Sequence, residues 1–145
     1  MAAEAYNETG NTTEAWKLLN DVRVRAGATP ISTANYSSLL KAPKLYDLPF
    51  IPDGDDAGKF RTALYWERAF ELAFEGQRKY DLLRWGILKE ALVLMGNATS
   101  VNKVANQPYP AYKNFETGKH ELFPIPLSEL QSNPLLEGKN NPGYE

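Results

Sequence analysis

At 145 residues, 43% of them hydrophobic and 23% charged, the chain is long enough to bury one sizeable core and short for two, so a single domain over 1–145 is expected. A net charge of -2 offers no basic field to a phosphate backbone, and no arginine-rich run interleaved with aromatics occurs, which sets nucleic acid aside as a partner. With no cysteine, disulfides, thiolate nucleophiles and Cys-based metal centres drop out together; no apolar run approaches the ~20 residues that span a bilayer.

The opening MAAEAYNETG has helical composition and meets the first residue with no N-cap before it, and it lacks the basic and apolar regions of a secretory leader. The chain is therefore read as starting within a larger protein. A short helix over 2 to 8 is expected to end at Gly10, and Asn11 with Glu14 forms a capping-box-like start for a second helix running to Gly27. Ala15, Leu18, Leu19, Val22 and Ala26 line one side of that helix. Two helices joined by a tight Gly-Asn turn form an αα-hairpin, the unit of helical repeats.

Residues 28 to 58 carry Pro30, Pro43, Pro49, Pro52 and then DGDDAG, which exclude a long helix or a central strand. This is a long excursion with one helical turn expected around Tyr36 to Lys41. From Lys59 to Phe74 a helix is apolar nearly all round, interrupted by Arg61, Thr62, Glu67, Arg68, Glu71 and Glu75, and belongs in a core with neighbours on several sides. A third stretch over 77 to 95 carries Tyr80, Leu83, Ile87, Leu88, Ala91, Leu92 and Met95 before Gly96 stops it. A polar, aromatic-dotted loop follows. Pro124 and Pro126 then hold Leu122 to Pro126 extended, Ser128 with Gln131 supplies a capping box for one short turn, and NNPGYE reads as a type II turn with Gly143 at positive φ.

Several constellations invite a chemical reading. Glu67, Glu71 and Glu75 are spaced at four on one helix face, as a glycosidase acid and base pair or a metal site requires. Against this, Arg68 to Glu71, Glu75 to Arg78 and Glu75 to Lys79 place opposite charges within reach, and an ion-pair network prevails. Asp81 lies three after Arg78, three before Arg84 and four before Trp85, so it is expected to clasp a guanidinium, with Gly76 allowing a bend or close helix contact. Asp53, Asp55 and Gly58 occupy calcium-loop positions one, three and six, yet Ala57 and Leu64 fail at five and twelve, so no metal is expected and the aspartates form a solvated turn that serves the start of the next helix; an irregular calcium site at Asp53 and Asp55 is the alternative.

His120 is the only histidine, so no His cluster or triad can be built from this chain, and no glycine-rich phosphate loop is present. No cofactor is expected. The N-x-S/T triplets at Asn7, Asn11, Asn35 and Asn97 are discounted. Tyr109, Tyr112 and Phe115 stand in the polar loop with Pro108 and Pro110. Flat aromatic faces beside amides and hydroxyls suit pyranose rings, and the alternative is that they pack against their own domain.

The run ERAFELAFEGQRKYDLLRWG at 67 to 86 resembles the signature of the SusD/RagB family, and the segments 4 to 27, 120 to 136 (HELFPIPLSELQSNPLL) and NPGY at 141 to 144 agree in order. The family commonly has Gln before that last motif where this chain has Asn140. The resemblance implies an all-α fold: one tetratricopeptide-like helix pair over 1–27, a long loop over 28–58, core helices over 59–96 and a loop with an extended Pro-rich tail over 97–145. It implies the C-terminal portion of a surface-exposed outer-membrane lipoprotein, with the lipidated cysteine and most of the helix pairs upstream of Met1. The implied function is non-catalytic: glycan or oligosaccharide, in some members peptide, is captured and passed to a SusC-type TonB-dependent transporter. The family's shared motifs are structural, so no sugar-contacting residue carries over by position. A helical-repeat scaffold that binds protein and no sugar is the alternative; an α-helical glycosidase is the third reading.

Overall fold

The computed structural model describes residues 1–36, 48–101 and 113–144, the side chains of 98–101 excepted. Within them the chain is helical, with no strand among the described residues. Two compact units divide it, Met1–Arg78 and Lys79–Glu145.

In the first unit, α1 (Ala2–Glu8) and α2 (Thr12–Arg25) pack against each other as the expected hairpin. The Asn11 side chain caps α2 by accepting from the Glu14 N–H at 3.2 Å. The reciprocal half of the capping box is not made, because the Glu14 carboxylate turns to Lys17 at 2.9 Å and the Asn11 N–H closes α1 instead, donating to the Tyr6 carbonyl at 2.8 Å. Helix α2 ends in the same Schellman closure: the Ala28 N–H reaches the Arg23 carbonyl at 2.8 Å and the Gly27 N–H that of Val24 at 3.0 Å.

Helix α3 (Asp56–Glu71) packs on both α1 and α2. Ala15 and Leu19 of α2 meet Phe60, Ala63 and Leu64 of α3 in a core that also takes Ile31 and Tyr36 from the following segment. Trp16 sets its ring edge-on to Phe60, centroids 5.1 Å apart at 84°. Burying side chains of this size contributes roughly 1.5–3 kcal/mol each, and this cluster is what orders the unit. The start of the long excursion is tied down by Asn20, whose amide donates to the Ile31 carbonyl at 2.9 Å and accepts from the Ile31 N–H at 2.8 Å.

Both ends of α3 differ from the sequence expectation of Lys59 to Phe74. It starts at Asp56 because the Asp55 carboxylate accepts from the Gly58 N–H at 2.7 Å, an N-cap that places the first turn inside DGDDAG. It ends at Glu71 because the chain turns through Leu72 to Gly76, where Phe74 and Gly76 take φ of 68° and 74°. The apolar surface of its last turn is left open, with Phe70 half exposed and Phe74 fully so. The turn expected over Tyr36 to Lys41 lies outside the described residues beyond Tyr36.

The second unit corrects a further expectation. The stretch 77 to 95 is not one helix: α4 (Arg78–Arg84) and α5 (Leu88–Val101) are separated at Gly86. Gly86 takes φ of 69°, and the Ile87 and Gly86 N–H groups donate to the Leu82 and Leu83 carbonyls at 3.0 Å each. This is the same Schellman closure, and it needs a residue without a Cβ penalty in the left-handed region. Helix α5 then passes through Gly96, which is buried, instead of stopping there. A buried helical glycine costs only about 1 kcal/mol, well within what packing offsets.

Toward the C-terminus, α6 (Leu127–Ser132) begins after Pro126 with no side-chain cap, so Ser128 lies inside the helix and the expected capping box is absent. A 3-10 turn over Pro134–Leu136 follows, capped by Asn133, which accepts from the Leu135 N–H at 3.1 Å. The stretch Leu122 to Ile125 is gripped by the last motif. Asn140 accepts from the Ile125 N–H at 2.8 Å, Asn141 donates to the Phe123 carbonyl at 2.6 Å, and the Tyr144 hydroxyl donates to the Leu122 carbonyl at 3.2 Å. Gly143 has the positive φ, 80°, that the Pro-Gly turn calls for.

Candidate functional site

The acidic face of α3 carries the glutamates that the sequence offers as a candidate acid and base pair, and the structure brings arginines to it from another helix. Glu67 is nearly buried and accepts from Arg23 Nη1 at 2.6 Å, while Arg23 Nε donates to the Thr29 carbonyl at 2.9 Å. One turn on, Glu71 pairs with Arg25. Glu75 is not on this face, because α3 ends at Glu71 and Glu75 stands exposed in the turn beyond it. Arg68 lies half-buried in the last turn of α3. A carboxylate gripped by a guanidinium acts as an inter-helix tie, whereas proton transfer or nucleophilic attack calls for a carboxyl group poised toward a substrate.

The partners expected for these glutamates were neighbours three or four residues away; those found lie 44 and 46 positions earlier. Arg23 and Arg25 were visible as the basic end of α2, a placement that also suits the negative pole of that helix. Nothing in local spacing, however, says which distant face such a pair will meet.

Asp81 is buried, at 3% exposure, and accepts from Arg84 Nε at 3.0 Å. Arg84 also lies over the Trp85 ring, 4.7 Å from its centroid. Arg78, the last residue of the first unit, packs within it: its Nη1 donates to the Tyr65 carbonyl at 3.0 Å and its guanidinium covers the Tyr65 ring at 3.8 Å. Gly76 meets nothing within 4 Å of where a Cβ would stand, so it serves the turn by its positive φ and not by close helix contact.

Asp55 is engaged as the α3 cap, and Asp53 accepts a long hydrogen bond, 3.4 Å, from the Tyr36 hydroxyl. Among the described residues no group of three or more acidic or histidine side chains comes together. Tyr109 and Tyr112 lie outside the described residues. Phe115 is half-buried, its ring 5.9 Å from that of His120. His120 itself accepts from the Glu116 N–H through Nδ1 at 2.8 Å, which shapes a tight turn over 116–121. Of the N-x-S/T asparagines, Asn7 is buried and donates to the Ala57 carbonyl at 3.3 Å, and Asn11 and Asn35 are taken up in capping and loop hydrogen bonds.

Charge is also used between α1 and α3. Arg61 grips Glu8 with two parallel bonds, Nε to Oε1 at 2.8 Å and Nη2 to Oε2 at 2.7 Å. The Arg61 hydrogen bond holds the Glu8 carboxyl below its ordinary value, with burial opposing and the Asn7 amide assisting, and Arg61 is raised in return. Among the described residues, no helix is long and apolar enough to cross a membrane.

A helical chain whose charged residues tie one helix to another has the build of a structural framework. The chain belongs to the SusD family, whose sequence profile matches residues 1–144. It is 36% identical over 146 residues to SusD-like protein P25 of Formosa agariphila, covering 99% of this chain and 23% of that protein. It is 33% identical over 147 residues to SusD-like protein P2 of the same organism, covering 99% and 24%. The chain thus spans about a quarter of the length of the curated relatives it matches. No solved structure matches it.

Proposed function

We propose that this chain is part of a non-catalytic glycan-binding protein, held at the outer face of a bacterial outer membrane, that passes oligosaccharide to a SusC-type TonB-dependent transporter. The observation that carries the reading is family membership across residues 1–144. It is supported by the arginines on Glu67 and Glu71, which make the acidic face of α3 a joint between helices. Aromatic side chains of the polar loop, Tyr109, Tyr112 and Phe115, offer flat faces to sugar rings.

Calorimetry of the intact protein against a panel of oligosaccharides tests this directly. Binding of at least one glycan, with no release of reducing ends, is expected, and Tyr109→Ala with Tyr112→Ala should weaken it about tenfold at unchanged Tm. Binding of no glycan, together with tight binding of an unrelated protein partner, would favour the helical scaffold; release of reducing ends would make the protein an enzyme.

A further inference from the structure

The second unit holds a cleft of about 270 Å³ between the end of α4, the first turn of α5 and the turn over 116–121. Its floor is apolar: Leu82 and Leu88 are buried, and Leu83 is half-buried. Its rim is polar and open to solvent, with Lys89 on the α5 side and Thr117 and Glu121 opposite. The Thr117 wall is preorganised. The Gly118 N–H donates to Glu121 Oε2 at 2.7 Å, the Glu116 N–H to His120 Nδ1 at 2.8 Å, and the His120 N–H to the Glu116 carbonyl at 3.1 Å.

We propose that this cleft is a subsite for one neutral pyranose ring of a longer glycan. The inference rests on the glycan-binding reading above and gives it a place in the second unit. Size limits the occupant, since 270 Å³ falls just below the roughly 300–1,000 Å³ of pockets that enclose drug-sized ligands. Chemistry narrows it further. An apolar floor under a polar rim matches a ring whose C–H face is apolar and whose edge carries hydroxyls. The rim offers donors in Lys89 and Thr117 and acceptors in Thr117 and the carboxylate of Glu121, and a hydroxyl uses both kinds. The lining sets one ammonium, Lys89, beside two carboxylates, Glu90 and Glu121, so an anionic ligand is disfavoured and an uncharged ring is held by hydrogen bonds to all three.

The experiment is calorimetry of the intact protein with maltohexaose, laminarihexaose, xylohexaose and mannohexaose, first unsubstituted and then as Thr117→Trp, Glu121→Gln and Lys89→Ala. Thr117 is exposed in its turn, so an indole there fills the cleft without entering the core. Gln at 121 keeps an acceptor for the Gly118 N–H while removing the charge. Whichever hexasaccharide binds the unsubstituted protein is expected to bind Thr117→Trp at least about tenfold more weakly, and Glu121→Gln and Lys89→Ala about threefold to tenfold more weakly, at unchanged Tm. If Thr117→Trp melts lower, the two rim variants decide. A glycan bound with equal affinity by the unsubstituted protein and the variants overturns the subsite and leaves the glycan-binding function standing. Binding of no hexasaccharide by the unsubstituted protein overturns both.

Discussion

Arg23 holds two acceptors at once, the Thr29 carbonyl and the Glu67 carboxylate, and both charged side chains are almost withdrawn from water, at 12% and 11% exposure. Removing one partner of such a pair strands the other charge, which costs about 3–5 kcal/mol. Arg23→Ala is therefore expected to lower unfolding free energy by about 3 kcal/mol in urea, while Arg23→Met combined with Glu67→Leu should recover most of the loss. A single-variant loss under about 1 kcal/mol would show that the pair is not a tie. Phe74 poses the opposite case. It is fully exposed and holds φ of 68°, a region that penalises a Cβ by about 1–2 kcal/mol. Phe74→Gly removes that strain at the cost of some unfolded-state entropy, so this chain is expected to gain about 0.5–1 kcal/mol. A lower Tm for that variant would mean that the ring makes a contact worth more than its strain.

Helix ends show how local chemistry and long-range packing divide the work. Starts and stops carried by a short-range hydrogen bond were legible in the sequence: Asn11 caps α2, and Gly10 and Gly27 close α1 and α2. Where the sequence held two stop signals, packing chose between them. Gly86 closes α4 although the apolar period runs straight through it, and Gly96 is carried inside α5 although it looked like the end. The aspartates of DGDDAG were legible as helix-start residues, but not which of them is the cap. That assignment predicts an outcome: Asp55→Ala should cost about 1 kcal/mol through loss of the bond to the Gly58 N–H. Asp53→Ala should cost less at the start of α3, because Asp55 and not Asp53 caps that helix. Equal losses in chemical denaturation would refute the assignment.

Across the molecule, individual helices could be read from period and spacing, and the all-α class from the resemblance of the ordered motifs, because each depends on residues near one another. The pairings that fasten the motifs could not. Glu67 with Arg23, Ile125 with Asn140 and Glu8 with Arg61 join positions 44, 15 and 53 apart, and no spacing rule reaches that far. The last of these ties also makes stability depend on pH in a determined direction. The Arg61 hydrogen bond holds the Glu8 carboxyl below its ordinary value in the folded chain, so the folded state binds fewer protons there than the unfolded state as pH falls through the ordinary glutamate value of about 4.3. The contribution is fully present above that value and is lost as pH drops through the lower, folded one. Both side chains are about half exposed, which screens the pair and limits it to about 0.2–1 kcal/mol. Urea unfolding of the unsubstituted chain and of Glu8→Gln should therefore differ by that amount at pH 7, and the gap should close toward pH 3 and shrink in 1 M NaCl, about where the screening length falls to ~3 Å. A gap that stays constant from pH 7 to pH 3 would show that Glu8 acts through packing of its side chain and not through its charge.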